Sequence, residues 1–495
     1  MKIRTIITQD AEVDDQNSLR HFLFYANQVE LQGIIQTSSK FHWIGVEGAV
    51  RPEKTKANDF EFDDGLPPAP FDKPYRWPGT DWMFRVIDDY EKDYPKLVKH
   101  ADGYPTPEYL RTITKVGNVG YEGEMEAPSD GSELIRKTIL DDDARILYLQ
   151  VWGGCNTIAR ALLDIENEYQ EKPEWSGLHD RIMNKVVITA CGEQDDTFRE
   201  YIAEEWPGIL FVKTLQMQSY AYPWFVMPEG ESKDSLKAGF MKAEIINGKS
   251  ALTDGYSTWL DGHVYEGEGS LGQFGSNPNI VNEWFGARFI KAKPVRYDFL
   301  SEGDSPTYFC LLDFGFRTLE NFGYGGLAGR YFNENQKNSR GETLHVWNVA
   351  KDKYTGRDGN TSEQESMWPY VADIQRDFAA RVDWVSKDKK EDAEHMPQLK
   401  IEEGLDFTAA PGGNVVLHAK AATEDKTSAA VSFKVYEEAS AACAKDVIIR
   451  ADGDMAEVKV PADAEPGDLI HVVVKAECNG KYRLTYYQQV IITIV

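Results

Sequence analysis

The sequence predicts an α/β protein: a doubly wound, mostly parallel sheet over residues 1–390, followed by a small all-β, immunoglobulin-like sandwich over residues 398–495. Three observations predict it. The first forty residues alternate strand, helix and strand, the pattern of a parallel βαβ unit. The same alternation returns between residues 145 and 212. After residue 397 the texture changes to short β-rich runs separated by turn residues.

Ile3–Ile7 is a β-branched run and reads as the first strand. Asn17–Asn27 carries Leu19, Phe22, Leu23 and Ala26 at helical spacing, and Val29–Gln36 reads as the second strand. Residues 51–80 are rich in Pro, Asp and Lys and predict a long surface excursion. Trp82–Leu97 and Pro107–Val116 read as helices. Arg145–Val151, Lys185–Ala190 and Ile209–Val212 read as strands, with helices over Asn156–Glu166 and Thr197–Glu205. Residues 215–350 are aromatic and Gly-rich and show no clear period. Asp373–Trp384 reads as a closing helix that Arg381 and Trp384 dock to the first domain. The charged stretch Ser386–Glu394 is the linker, and six β-rich runs follow between Val415 and Val495.

Composition removes several function classes. A formal net charge of −27 argues against binding a nucleic-acid backbone and suits cations or neutral ligands. Five cysteines cannot staple 495 residues, so Cys155, Cys191 and Cys310 read as buried free thiols; Cys443 and Cys478 are left as a pair only if the protein is exported. No apolar run is long enough to span a membrane, and the N-terminal one is too short for a signal-peptide core. The expectation is a cytoplasmic protein, or an exported one whose leader has been removed.

The sharpest local feature is Asp10-Ala11-Glu12-Val13-Asp14-Asp15, at the carboxyl end of the first strand. Open α/β sheets bind ligands there. Four carboxylates in six residues repel one another unless a cation is present, and closely spaced oxygens suit Ca²⁺. The competing reading is that Asp14 or Asp15 caps the following helix. An Asp-x-Asp phosphatase loop fits poorly, because Val13 and Asp14 stand where a Ser or Thr is wanted.

Thr8–Asp15 resembles the Asp-Thr-Asp-Pro-Gly-Ile-Asp-Asp motif of the nucleoside hydrolases. Trp152–Ala159 is similar to that family's Gly-x-x-Thr-Asn-x-Ala segment, and Gly303-Asp304-Ser305-Pro306 to its late His-Asp-Pro. Glu302–Thr307, Tyr324–Arg330, Asp377–Trp384 and the β-rich tail with Pro411-Gly412-Gly413 and Pro466-Gly467-Asp468 resemble a divergent bacterial branch labelled cellulose-binding. The resemblance implies a nucleoside hydrolase-like fold and a Ca²⁺ held by Asp10, Asp15, Asp304 and the backbone carbonyl of Asn156. It also implies that Asp14 binds sugar hydroxyls and that Asp10 takes a proton from the attacking water. That chemistry is coherent, since a cation orients water and a carboxylate can act as its base.

The departures are specific. Thr8 replaces the motif's first Asp, Ala11-Glu12 replaces Pro-Gly, Gly303 replaces the His that is a candidate leaving-group acid, and Thr37-Ser38-Ser39-Lys40 replaces an Ala-Gly-Asn segment. Loss of base recognition with retention of metal and pentose handling favours a sugar or glycoside ligand over a nucleoside. The expected function is therefore calcium-dependent hydrolysis of a glycosidic bond to a pentose or related sugar. The alternative is a non-catalytic carbohydrate-binding protein on the same fold.

Further candidates come with a competing reading each. Ser39, Lys40, His42 and Trp43 follow the second strand and line up as sugar contacts, against loop packing for the aromatics. Asp195 follows another strand end, as a ligand-binding residue or a helix cap. Glu302 precedes Asp304, as an acid on the leaving group or an ordinary turn carboxylate.

Overall fold

The computed structural model describes residues 2–51, 69–265 and 293–495, with 267, 275 and 277 besides. Most of the stretch expected as a surface excursion, residues 52–68, lies outside the described residues. The chain forms two compact units, one of residues 1–226, 236–311 and 333–349 and one of residues 227–235, 312–332 and 350–495.

The first unit is built on a large parallel sheet. Its strands are β1 (Ile3–Gln9), β2 (Val29–Gln36), β3 (Thr114–Val116), β4 (Leu147–Val151), β5 (Val186–Ala190), β6 (Leu210–Lys213) and β7 (His345–Val349). These seven strands of the eight-stranded sheet stand in the order β3-β2-β1-β4-β5-β6-β7, each parallel to its neighbour. The order reverses at β1, so the carboxyl ends of β1 and β4 face the crevice where such sheets bind ligands. Helix α1 (Val13–Leu23) follows β1 and α2 (Asp81–His100) lies between β2 and β3. Helices α3 (Asp130–Leu140), α4 (Asn156–Tyr169) and α5 (Trp175–Lys185) accompany β4 and β5. The core joins Ile6, Ile35, Leu149 and Ile188 of the strands to Ile135, Ile158, Leu162 and Ile182 of α3, α4 and α5.

Some boundaries differ from expectation. The helix expected over Pro107–Val116 ends at Ile113, and β-branched Thr114 and Val116 pair with β2 instead. The helix expected over Thr197–Glu205 is a π-type turn, Phe198–Ile202, continued by Ala203–Glu205.

The second unit contains the sandwich. Its strands are β8 (Gln398–Ile401), β9 (Asp406–Ala409), β10 (Asn414–Ala422), β11 (Ala429–Val435), β12 (Ile448–Asp452), β13 (Met455–Lys459), β14 (Leu469–Cys478) and β15 (Thr485–Ile494). They form two four-stranded sheets, β8-β10-β13-β12 and β9-β15-β14-β11. Alternate residues of both sheets, among them Leu417, Val458, Val472 and Ile492, face one another in a single core. Cys443 and Cys478 are both free and buried, as are the other three cysteines.

The helix expected to close the first domain, α6 (Val371–Trp384), belongs to this second unit. Asp373 accepts hydrogen bonds from Tyr487 Oη and, at 3.4 Å, Lys475 Nζ of the sandwich. Arg381 pairs with Asp377 on its own helix, and Trp384 Nε1 donates to the Glu394 carbonyl at 2.9 Å. The expected segments 1–390 and 398–495 thus do not coincide with the compact units: burial of the outer face of β14 and β15 needs the residues before 398. No helix among the described residues is long and apolar enough to cross a membrane.

Candidate functional site

The chain leaves β1 at Gln9 and turns at Ala11, whose φ is +80°, before α1 begins at Val13. The turn folds the acidic loop back on itself. Glu12 is the residue at the helix cap and makes no side-chain cap bond, so the loop is not an ordinary N-cap. Asp15 Oδ1 instead accepts the Asp10 backbone N–H at 3.0 Å.

Asp304 comes from a segment almost three hundred residues away and meets this loop. One oxygen from each of Asp14, Asp15 and Asp304 lies within 4.8 Å of the others, and all three side chains are buried. Asp10 is buried beside them, with one oxygen accepting from Ser39 Oγ and lying 3.3 Å from His42 Nδ1. Its other oxygen, Oδ1, and Asp304 Oδ2 have no hydrogen-bond partner. Asp14 accepts from Tyr222 Oη at 3.4 Å and from Ser301 Oγ at 3.3 Å.

The electrostatics follow from this crowding. Burial, then the charges of Glu12 and Asp10, push the Asp14 carboxyl up to about 8. Burial and neighbouring carboxylates raise Asp15 and Asp304 well above the usual range. Burial works in the same direction on Asp10, but the His42 imidazole and the hydrogen bond from Ser39 outweigh it and hold that carboxyl low. Unpaired carboxylate oxygens in a dry cluster are costly, and a hard divalent cation relieves the repulsion by direct oxygen ligation. The donor set fits such an ion.

The segment carrying Asp304 is fixed by one face of α1. Asn17 Nδ2 donates to the Ser257 and Ser301 carbonyls at 3.0 and 3.1 Å, and Asn17 Oδ1 accepts from Ser257 N at 2.8 Å. Ser305 Oγ lies 3.1 Å from Ser18 Oγ, and His21 Nδ1 lies 2.7 Å from Glu302 Oε2. Glu302 also accepts from Tyr256 Oη and from Ser305 Oγ. It is wholly buried and its oxygens are committed, so it holds the loop rather than facing a leaving group. Gly303 places no side chain here; a Cβ there would lie 3.0 Å from Asp14 Oδ2 and 3.7 Å from Cys191 Sγ.

Behind Asp10 the Trp152-Gly153-Gly154 turn allows close approach. A Cβ on Gly153 would stand 2.7 Å from the Asp10 Cβ, and one on Gly154 would strike the Asp195 carboxylate. Asp195, pushed up to about 6 chiefly by burial, accepts from Asn156 N at 3.1 Å and from Thr197 N and Oγ1. It therefore caps two elements. The Asn156 side chain is spent on Ser38, Asn118 and Glu124; Asn156, whose backbone carbonyl is the implied ligand, is the first residue of α4, whose ladder opens at the Cys155 carbonyl.

Ser39 and His42 thus reach the cluster through Asp10. Lys40 is half-buried and its N–H donates to the Gln194 carbonyl at 2.8 Å. Trp43 is fully buried against Phe71 and Tyr75, as loop packing would have it. Asn17, Ser18, His21, Tyr222 and Ser301 are neighbours of the cluster that the sequence reading passed over. The signal for the first three was that Asn17, Ser18 and His21 interrupt the apolar stripe of α1 with polar groups that prove fully buried.

A parallel sheet reversing at β1, with a buried acidic cluster at its carboxyl edge, defines a nucleoside hydrolase-like α/β protein. Residues 4–331 match the family model described as cellulose-binding Sde182, nucleoside hydrolase-like domain, and the chain belongs to this family. Residues 414–494 match the C-terminal domain of cellulose-binding protein Sde0182. A solved structure from Saccharophagus degradans, described as a nucleoside hydrolase-related hypothetical protein associated with carbohydrate metabolism, shares the fold. It is 23% identical over 100% of both chains, with a TM-score of 0.68. The effector protein XOO4466 is 10% identical over 78% of this chain and 94% of its own, and its TM-score of 0.35 is too low to bear on the fold. No curated protein sequence matches this chain.

Proposed function

We propose that this protein is a calcium-dependent hydrolase of glycosidic bonds to a pentose or related sugar. The observation that carries the reading is the convergence of Asp14, Asp15 and Asp304 on one another, with Asp10 hydrogen-bonded into the group. Asp10, Asp15 and Asp304 would hold the ion, and Asp14, bonded only at 3.3 and 3.4 Å, would turn to sugar hydroxyls. Bound there, calcium would neutralise the cluster and would make a nearby water more acidic. Asp10 stays ionised beside His42 and Ser39, so it can accept that water's proton. The remaining negative charge stabilises an oxocarbenium-like transition state.

One observation favours a second reading, a non-catalytic carbohydrate-binding protein. Gly303 leaves the position of a leaving-group acid without a side chain. Two measurements separate the readings. Calcium titration of the wild type and of Asp304→Asn is expected to show at least about a 100-fold loss of affinity in the variant; equal affinities would refute the ligand assignment. Reducing-sugar release from nucleosides, furanosides and plant polysaccharides tests turnover. Silence across that panel, together with retention on insoluble cellulose, would replace the hydrolase by the binder.

A further inference from the structure

Helix α1 has a second functional face. Gln16 and Arg20, four residues apart and so on one side of the helix, line a concavity of about 370 Å³ in the first unit. Its other walls are Pro78, Trp82, Arg85, Gly255, His263, Val264 and Tyr265. That volume falls in the range of small-molecule sites.

The lining is unusual for this chain. Asp and Glu supply 81 of 495 residues, yet none of the described residues lining the concavity is acidic. The charged side chains among them are Arg20 and Arg85, with His263 beside them. Arg20 is partly neutralised, since its Nη1 lies 2.9 Å from Asp89 Oδ2, and His263 Nδ1 lies 3.2 Å from Asp261 Oδ2. Arg85 is exposed and makes no hydrogen bond or ion pair among the described residues. Gly255 lies against Arg20, and a Cβ there would displace the Arg20 guanidinium.

The exposed Arg85 guanidinium on the wall of the concavity selects a planar anion. The half-buried Tyr265 ring supplies an aromatic surface of the kind that meets sugar C–H groups. Tyr265 also packs on the cluster of Val13, Tyr222, Trp259 and Leu300, in which Tyr222 bonds Asp14. The concavity is therefore continuous, through packed side chains, with the acidic cluster.

We propose that this concavity is a binding subsite for a carboxylated sugar, a uronic acid unit, with Arg85 as the carboxylate contact. It extends the sugar reading to a substrate class and does not depend on turnover or on calcium.

Calorimetric titration with methyl β-D-glucuronide and with methyl β-D-glucoside tests it, on the full chain and on Arg85→Gln. The glucuronide is expected to bind the wild type about ten-fold or more tighter than the glucoside, as one charge-assisted contact provides. In Arg85→Gln the two sugars should bind alike, with glucoside affinity unchanged. Equal binding of both sugars by the wild type overturns the proposal, as does a preference that survives Arg85→Gln. Inorganic phosphate competing as strongly as the glucuronide also overturns it, in favour of a plain anion site. Calcium titration of Arg85→Gln keeps the two readings apart: affinity should equal that of the wild type whatever the sugars do.

Discussion

At Ala11 the backbone takes φ +80° in a residue that carries a Cβ, inside the loop that gathers the carboxylates. Left-handed backbone costs a non-glycine residue about 1–2 kcal/mol, partly offset on substitution by the extra freedom of glycine in the unfolded chain. Ala11→Gly is expected to raise stability by up to about 1 kcal/mol in urea denaturation; a loss would show that the turn is unstrained. Protonation adds a second expectation. In the metal-free protein Asp14 keeps its proton up to about pH 8, whereas unfolding returns it to 3.8. Between those values the folded state binds more protons, so stability is full below about pH 4 and falls as pH rises toward 8. Asp15 and Asp304 shift in the same direction, and Asp10 opposes them only at low pH. Melting in chelator should therefore drop from pH 5 to pH 8, and calcium should stabilise more at pH 8 than at pH 5. A melting temperature that rises across this range would count against the cluster as described. The loop itself was legible, because its acids are adjacent in sequence. The uptake of His42 by Asp10 was not, since a histidine beside two aromatics reads equally as a stacking residue.

Helix α1 works on two sides: Asn17, Ser18 and His21 grip residues 301–305, while Gln16 and Arg20 line the concavity. Asn17→Ala would leave the Ser257 N–H and the Ser257 and Ser301 carbonyls without their partner, at about 2–3 kcal/mol. Loss of that grip should also weaken calcium binding about ten-fold, as removal of a ligand's support does. Unchanged calcium affinity in a folded Asn17→Ala would mean that Asp304 positions itself. Sequence made β1, α1, β2, β4 and β5 readable because each is a periodic apolar run. It hid β7, whose His345-Val346-Trp347-Asn348-Val349 has no sustained pattern and draws its place from pairing with β6. Strands β8 and β9 were missed for the same reason: four residues each are too few to show alternation. The partners of α1 were equally invisible, because nothing local ties residue 17 to residue 301.

For the whole molecule, the second unit stands on more than its sandwich. Gln489 Nε2 donates to the Tyr324 carbonyl at 2.8 Å, Arg317 Nη1 reaches Asp406 at 2.7 Å, and Tyr436 Oη donates to Asp352 at 2.7 Å. His471 is fully buried on the same sheet, and burial pushes its imidazole down to about 4, so it packs uncharged. Residues 398–495 expressed alone would expose Tyr487, Gln489 and His471 to water. That fragment is expected to be unfolded or aggregated by circular dichroism and amide NMR dispersion; a well-dispersed spectrum would restore it as an independent module. The β-rich tail was legible as a sandwich from its turn-separated runs, but the dependence on residues 312–332 and 371–384 was not, because those segments carry no β signal.

The backbone passes from one unit to the other at 226/227, 235/236, 311/312, 332/333 and 349/350. No single crossover in the gene therefore divides the residues of one unit from those of the other.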